Sequence, residues 1–150
     1  MLIYLYKIRE RAMKTVVSAC LLGENCKYNG GNNYNERVVR FLENREVIKV
    51  CPEVLAGLGT PRVPIEIVDG RVISRDGVDV DLQIRRAVEQ ILESLKDEEI
   101  ECVILKSRSP TCGVKEVYDG TFSGVLRDGM GTLAEALTNH GYKVIDCEDI

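Results

Sequence analysis

A basic surplus is missing from this 150-residue chain, in which 20 Lys and Arg face 24 Asp and Glu for a formal net charge of −4. That excludes a general nucleic-acid-binding surface, which needs a basic face, while leaving a small nucleobase acceptable as a ligand. Histidine is nearly absent. The one copy, His140, falls in the last turn of a predicted helix and is read as a surface residue there, so a His-based triad is nearly excluded. No apolar run approaches the length of a membrane span. No two cysteines stand in a CxxC pair, which disfavours a zinc ribbon or a thioredoxin-type motif. Internal repeats, low-complexity stretches and linkers are lacking as well, so nothing marks a second domain.

What is present is a hydrophobic content of 45%, enough for one sizeable core and therefore one domain, expected over residues 14–150. The first stretch, MLIYLYKIRERA, puts a short apolar run before Lys7, Arg9 and Arg11. A secretory signal has the reverse order. Residues 1–13 are expected to lie outside the functional core, as an extra strand, a partner-contacting arm, or an over-called start with Met13 as the true initiator. With no export signal the expected compartment is the reducing cytoplasm, where the six cysteines serve more often as metal ligands or catalytic groups than as disulfides.

Apolar, β-branched runs alternate with helical periodicity, the pattern of an α/β domain. The strands are expected at Thr15–Ala19, Glu46–Val50, Ile100–Leu105 and Tyr142–Ile145. Their nearly continuous apolar character suits an open, mainly parallel sheet with helices on both faces, a Rossmann-like three-layer sandwich. Helices are expected at 35–43, 81–96 and 132–140. The longest places Ile84, Ala87, Val88, Ile91, Leu92 and Leu95 at i, i+3, i+4, i+7 spacing, with Asp79 or Asp81 able to cap it. Asp69-Gly70 and Asp119-Gly120, each between apolar residues, predict two small β-hairpin insertions.

In an open parallel sheet ligands bind beyond the carboxyl ends of the strands. The segments after the first three strands are CLLGENCKYNGG, CPEVLAGLGTPRVPIE and KSRSPTCG. Each carries a cysteine beside Gly or Pro, so a parallel sheet is expected to bring Cys20, Cys51 and Cys112 to one edge as a soft-metal site, the alternative being three coincidental loop cysteines. Scattered thiols of this kind suit a cluster seated on a preformed fold, and three of them on four irons leave one iron open.

For Cys26 three roles stand open: a fourth ligand, a thiol behind the ligands, or loop packing. Cys102, inside a strand, reads as core. Cys147, near the terminus among Asp146, Glu148 and Asp149, reads as a surface thiol. Glu53 stands two residues from Cys51 and is either a proton-transfer group or a carboxylate favoured by a helix N-terminus. Arg62 and Glu66 are expected to pair and fix their loop, with a substrate contact as the lesser reading. Lys106 either neutralises a negatively charged cluster, binds substrate, or is a solvated strand end. Ser109 either bonds substrate or cluster or serves turn chemistry.

The motifs SACLLGENCKYNG, VCPEVLAGL with TPRVPIEI, LKSRSPTCG and YDGTFSGVL resemble, in that order, those of domain-of-unknown-function family 523, which includes thiouracil desulfidases. The likeness runs from about Lys14 to the C-terminus, with two departures: CKYNG where CRYDG is common and SPTCG where SPSCG is common. The resemblance implies a [4Fe–4S] cluster held by Cys20, Cys51 and Cys112, an open iron that takes a thiocarbonyl sulfur, and non-redox hydrolytic desulfuration of a small thio-compound. It also implies Glu53 as the proton-transfer residue and Ser109 as its polar partner. The competing expectation is a non-catalytic metal-binding or sulfur-handling protein, with zinc or a structural cluster. An exposed cluster oxidises readily in air and would be lost from aerobic preparations.

Overall fold

A computed structural model describes residues 13–150. The expectations for residues 1–12 lie outside the described residues. At the centre is a four-stranded sheet in the order β2-β1-β5-β8, formed by β1 (Lys14–Ser18), β2 (Glu46–Val50), β5 (Ile100–Leu105) and β8 (Val144–Asp146). Every pairing in it is parallel. Successive residues of a strand point to opposite faces, and here both faces are covered. Val16, Val103 and Leu105 pack against α3 (Asp81–Leu95) and α4 (Thr132–Asn139). Val17, Cys102 and Ile104 pack the other way, with Leu21, Val38 and Cys147, of which Val38 lies on α1 (Glu36–Phe41). That double coverage is why the strand sequences are apolar throughout rather than alternating. The expected α/β sandwich is the observed one.

The helix of 15 residues buries Ile84, Ala87, Val88, Ile91 and Leu95, the stripe that its spacing requires. Its start is organised by both expected aspartates. Asp79 accepts the backbone N–H of Asp81 at 2.9 Å, and the buried Asp81 accepts that of Val72 at 3.0 Å, tying helix to hairpin. Val80 occupies the N-cap position and makes no side-chain bond.

The hairpin β3 (Ile65–Val68) and β4 (Arg71–Ser74) turns through Asp69 and Gly70, both at positive φ of 48° and 78°, as a primed two-residue turn demands. The second hairpin, β6 (Glu116–Tyr118) with β7 (Leu126–Asp128), departs from expectation. Asp119-Gly120 does not close it. Asp119 instead opens a longer connection, its side chain accepting from the Thr121 N–H at 3.0 Å, and the strands resume only after Val125.

Two further expectations change. The last strand begins at Val144, because the Tyr142 N–H bonds the Leu137 carbonyl at 3.1 Å and so belongs to the turn that ends α4. Cys147 is buried at 4% exposure, not a surface thiol. The chain turns back after β8 into a short 3₁₀ turn, which packs that sulfur 3.9 Å from Ser107 Oγ. His140 is exposed, as expected.

The start of α4 rests on the loop that carries Cys112. The N–H groups of Thr132 and Leu133 bond the carbonyls of Pro110 and Thr111 at 3.0 and 2.8 Å. At Gly131 the backbones come so close that a Cβ would lie 2.4 Å from the Thr111 carbonyl carbon. No rotamer change relieves a backbone clash. Gly131→Ala is therefore expected to cost about 2 kcal/mol or more by overpacking, lowering the urea midpoint with an unchanged slope. Leu82→Ala, at an exposed helix position, should stay within ~0.5 kcal/mol. Equal midpoints for the two variants would contradict this account of the loop.

Candidate metal and active site

Parallel register brings the carboxyl ends of three strands level. Ser18 pairs with Val50, and the Lys106 N–H, just past β5, bonds Ser18 Oγ at 2.9 Å. Each chain then leaves its strand in a constrained way. After β1 it enters a 3₁₀ turn, Ala19–Leu22, whose second residue is Cys20. After β2, Cys51 is the N-cap of a four-residue helix, α2 (Pro52–Leu55), opened by proline, whose fixed φ suits a first helical turn. After β5 the chain runs to Cys112, whose N–H bonds Ser109 Oγ at 3.0 Å.

The three thiols line one cavity of about 540 Å³ together with Cys26, Glu53, Arg62, Glu66, Lys106 and Ser109. That volume falls within the range of roughly 300–1,000 Å³ for small-molecule sites. All the residues singled out from the sequence as site candidates therefore meet in one place. Cys102, read as core, is buried in a strand.

Glu53 is 8% exposed although it is a carboxylate, and burial of that kind needs hydrogen bonds. Its partner is Thr111, fully buried, whose Oγ1 donates to Glu53 Oε1 at 2.7 Å. The other carboxylate oxygen, Oε2, lies 3.7 Å from Cys51 Sγ, and Thr111 Oγ1 is also 3.7 Å from Cys112 Sγ. One carboxylate–hydroxyl pair thus stands between two of the three thiols. Ser109 is one step removed from the expected contact with Glu53. Its Oγ lies 3.1 Å from Thr111 Oγ1 and accepts the N–H groups of Thr111 and Cys112. A hydroxyl has one proton to give. With that of Thr111 directed to Glu53, Ser109 donates to Thr111.

Thr111 was not among the sequence candidates, because a threonine beside a cysteine carries no chemical signal until its neighbours in space are known. Ser18 was missed for the same reason. It is buried, lines the cavity, and its hydroxyl reaches Cys112.

The Arg62–Glu66 ion pair is not formed. Arg62 donates to the carbonyls of Gly59 and Cys26 at 2.8 and 2.9 Å, so it clamps the Cys26 loop to the cavity. Glu66 accepts the N–H groups of Gly120 and Phe122 at 2.9 and 3.2 Å. The two side chains serve different loops. Lys106 is half-buried rather than solvated and bonds the carbonyl and hydroxyl of Ser107, both at 3.1 Å.

Electrostatically the cavity is divided. Burial, with Glu53 next in weight, pushes the Cys51 thiol far up and that of Cys112 up to about 12. The hydroxyl of Ser18 pulls the latter part of the way back. Burial also raises Cys20. Without a cation among them these thiols hold their protons. Five cationic side chains, Lys27, Arg62, Arg75, Lys106 and Arg108, line the same cavity against two carboxylates, which suits a content of negative charge.

Those shifts predict reactivity in the metal-free protein. Alkylation of Cys51 and Cys112 by iodoacetamide, resolved by peptide mass spectrometry, should stay slow through pH 8 and rise only well above the ordinary thiol range near ~8.5. Glu53→Gln removes a charge that disfavours the thiolate, so the Cys51 profile should move to lower pH. An unmoved profile would show that burial alone sets the reactivity.

Among the described residues no group of three His, Cys, Asp or Glu side chains could hold a single metal ion. A tetrahedral zinc with bonds near ~2.3 Å needs thiolates only about 4 Å apart. Thiols on three separate loops around a common cavity are a donor set that a polynuclear centre can use, each metal taking its own thiolate.

The comparisons with known proteins agree with this chemistry. The family model of 2-thiouracil desulfurase matches residues 15–149. An uncharacterized protein of Bacillus subtilis (strain 168), YbbK, is 35% identical over 140 residues, covering 87% of this chain and 93% of its own. Among solved structures, the [4Fe-4S]-dependent thiouracil desulfidase TudS superposes with a TM-score of 0.85 at 35% identity, covering 92% of this chain and 93% of that one. On the strength of the family match over nearly the whole domain, the chain belongs to the 2-thiouracil desulfurase family.

Proposed function

We propose that this protein removes sulfur from a small thio-compound such as a thiolated nucleobase by non-redox hydrolysis, using a [4Fe–4S] cluster held by Cys20, Cys51 and Cys112. The observation that carries the reading is the meeting of three thiols from three strand ends around a buried carboxylate in one cavity. The cofactor named for the structural relative is a [4Fe-4S] cluster, and the donor set here suits it. Cys26 lines the same cavity from a loop fixed by Arg62 and is available as a further thiol.

In its bound form such a cluster supplies a thiophilic Lewis acid that draws electron density from a thiocarbonyl carbon. The protein's own part is to move protons and to hold charge. Hydrolysis adds water across the C=S bond and releases hydrosulfide, leaving C=O with no change of oxidation state. Glu53 takes the proton of the attacking water. Thr111 holds Oε1 at 2.7 Å, which leaves Oε2 toward the thiols for that task. Ser109 supports the pair from the cavity wall, and Lys106 and Arg62 offset the negative charge that thiolates and hydrosulfide bring.

A small substrate rather than a nucleic-acid polymer belongs to the same proposal, since the chain carries a net charge of −4. No helix among the described residues is long and apolar enough to cross a membrane. A cytoplasmic setting belongs to the same proposal, since thiols that serve as metal ligands suit a reducing compartment. Residues 14–150 are proposed to form one catalytic domain.

Protein purified anaerobically with iron supplied should be brown, contain iron and sulfide, and release hydrosulfide from 2-thiouracil. Cys20→Ser, Cys51→Ser and Cys112→Ser should each lose iron. Glu53→Gln should keep the iron and lower kcat by roughly 10²–10⁴-fold, the usual weight of general acid–base catalysis. If Glu53→Gln turned over normally while Cys51→Ser did not, the proton-transfer role would fall and the metal centre would stand. Thr111→Val should lower kcat with KM little changed, and Thr111→Ser should restore it. An effect of both variants on iron content alone would make Thr111 a cluster-seat residue instead.

A further inference from the structure

One wall of the cavity is built by the connection 119–125 rather than by a strand end, and Phe122 and Gly124 line it. This loop is held in place by bonds that its own turn does not need. The Asp119 N–H bonds the Val125 carbonyl at 2.9 Å and closes the loop's base. Glu66, 8% exposed and on β3, spends one carboxylate oxygen on two N–H groups of the loop, those of Gly120 and Phe122. Gly120, at φ 91°, lies so close to the strand that a Cβ would stand 2.6 Å from the Ile67 carbonyl oxygen.

Between these ties Phe122 adopts φ 55°, a left-handed conformation that a bulky residue takes only where its surroundings over-determine it. The chain contains two phenylalanines. Phe41 has an evident structural use, packing beside Leu42 and Val38 and under Arg45 at 4.3 Å. Phe122 belongs to neither core cluster. It is half-buried and lines the cavity, and its backbone is held there by a buried carboxylate.

We infer that Phe122 is the specificity-determining wall on which a flat heteroaromatic thione stacks, and that Glu66 is the positioning residue that holds it there. This deepens the function proposed above and rests on it. A thiocarbonyl conjugated into a planar ring presents a π face, and an aromatic side chain receives such a face without regard to its in-plane substituents. The sulfur and the ring N–H groups then stay free for the polar groups of the cavity. An acyclic thione such as thiourea has the same C=S group between nitrogens but far less face to cover. The wall therefore selects for the ring, while Glu53 and the centre that the three thiols would hold act on the C=S group that the two compounds share.

The test compares 2-thiouracil with thiourea on the anaerobically loaded protein, alongside isothermal titration of uracil into loaded and metal-free protein. Phe122→Ala should raise KM for 2-thiouracil and weaken uracil binding by about ten- to a hundredfold, the usual weight of base–aromatic stacking. Its kcat should change little, and so should its KM for thiourea. Phe122→Tyr should behave as the wild type. Glu66→Ala should match Phe122→Ala, and Glu66→Gln, whose amide oxygen still accepts both N–H groups, should restore binding; a carboxylate with a merely structural role would not show that rescue in affinity. Uracil binding and ring preference unchanged in Phe122→Ala would overturn the inference. If uracil bound through Phe122 while loaded wild-type protein desulfurated neither compound, the proposed function would fail and the stacking wall would stand.

Discussion

A carboxylate buried among thiols is an unfavourable arrangement, and this protein is built around one. Glu53 sits 8% exposed with its oxygens between Cys51 and Thr111. Removing a carboxylate from water costs several kcal/mol in effect unless hydrogen bonds replace the lost solvent. The 2.7 Å bond from Thr111 supplies the replacement, and it comes from a segment 58 residues away. Other features of the site follow from making that bond possible. The loop bearing Thr111 must be fixed, so Ser109 folds it through two backbone N–H groups, and the first N–H groups of α4 seat on its carbonyls. Gly131 and Gly113 are required where this packing brings backbone to within 2.4 and 2.7 Å of the position a Cβ would take. The cysteine is carried along by a loop whose rigidity serves the carboxylate as well.

The sheet was legible because burial on two faces writes itself as unbroken apolar runs, and Glu46–Val50 and Ile100–Leu105 are located to the residue. The three strand-end cysteines were legible for a related reason. A parallel sheet makes every carboxyl end part of one edge, so a residue's place in the order of loops predicts its neighbours in space. That logic does not reach partners chosen by side-chain geometry. Arg62 and Glu66 are opposite charges four residues apart, and the sequence suggests a pair, yet each satisfies backbone groups of a different loop. Ser109 and Thr111 are both hydroxyls beside Cys112, and only the fold decides which one reaches Glu53. Cys147 looked exposed because acidic residues surround it in sequence, but a 3₁₀ turn after β8 directs the sulfur inward, with Asp146 buried as the turn's cap and only Glu148 and Asp149 exposed.

Charge explains why such a site is useful only when filled. Burial and Glu53 both oppose the thiolate form of Cys51 and Cys112, so the metal-free cavity holds protons where ligands are needed. A metal centre reverses the sign of that local field, and its binding must therefore release protons. The same cavity carries five cationic side chains against two carboxylates, an excess opposite to the chain's own net charge of −4. Lys106, held half-buried by Ser107, puts one of those charges next to Cys20, whose thiolate it favours. Protonated thiols alone would leave that positive excess unmatched; thiolates on a cluster, and the hydrosulfide that desulfuration produces, would match it.

The cavity then divides into two halves with different mechanical needs. On the strand-end side the thiols and Glu53 are held by sheet register, a proline-opened helix turn and the N-terminus of α4, elements that cannot shift without breaking the core. On the hairpin side the wall is a loop, and loops change more readily than strands. Glu66 is where the two halves join, since it sits on a strand and its carboxylate fixes the loop through backbone N–H groups rather than side chains. Such bonds survive a change of side chain at position 122 that keeps the backbone N–H. The loop's conformation therefore does not depend on the aromatic ring inferred to stack on the substrate, so the stacking wall and the strand-end chemistry can be tested apart.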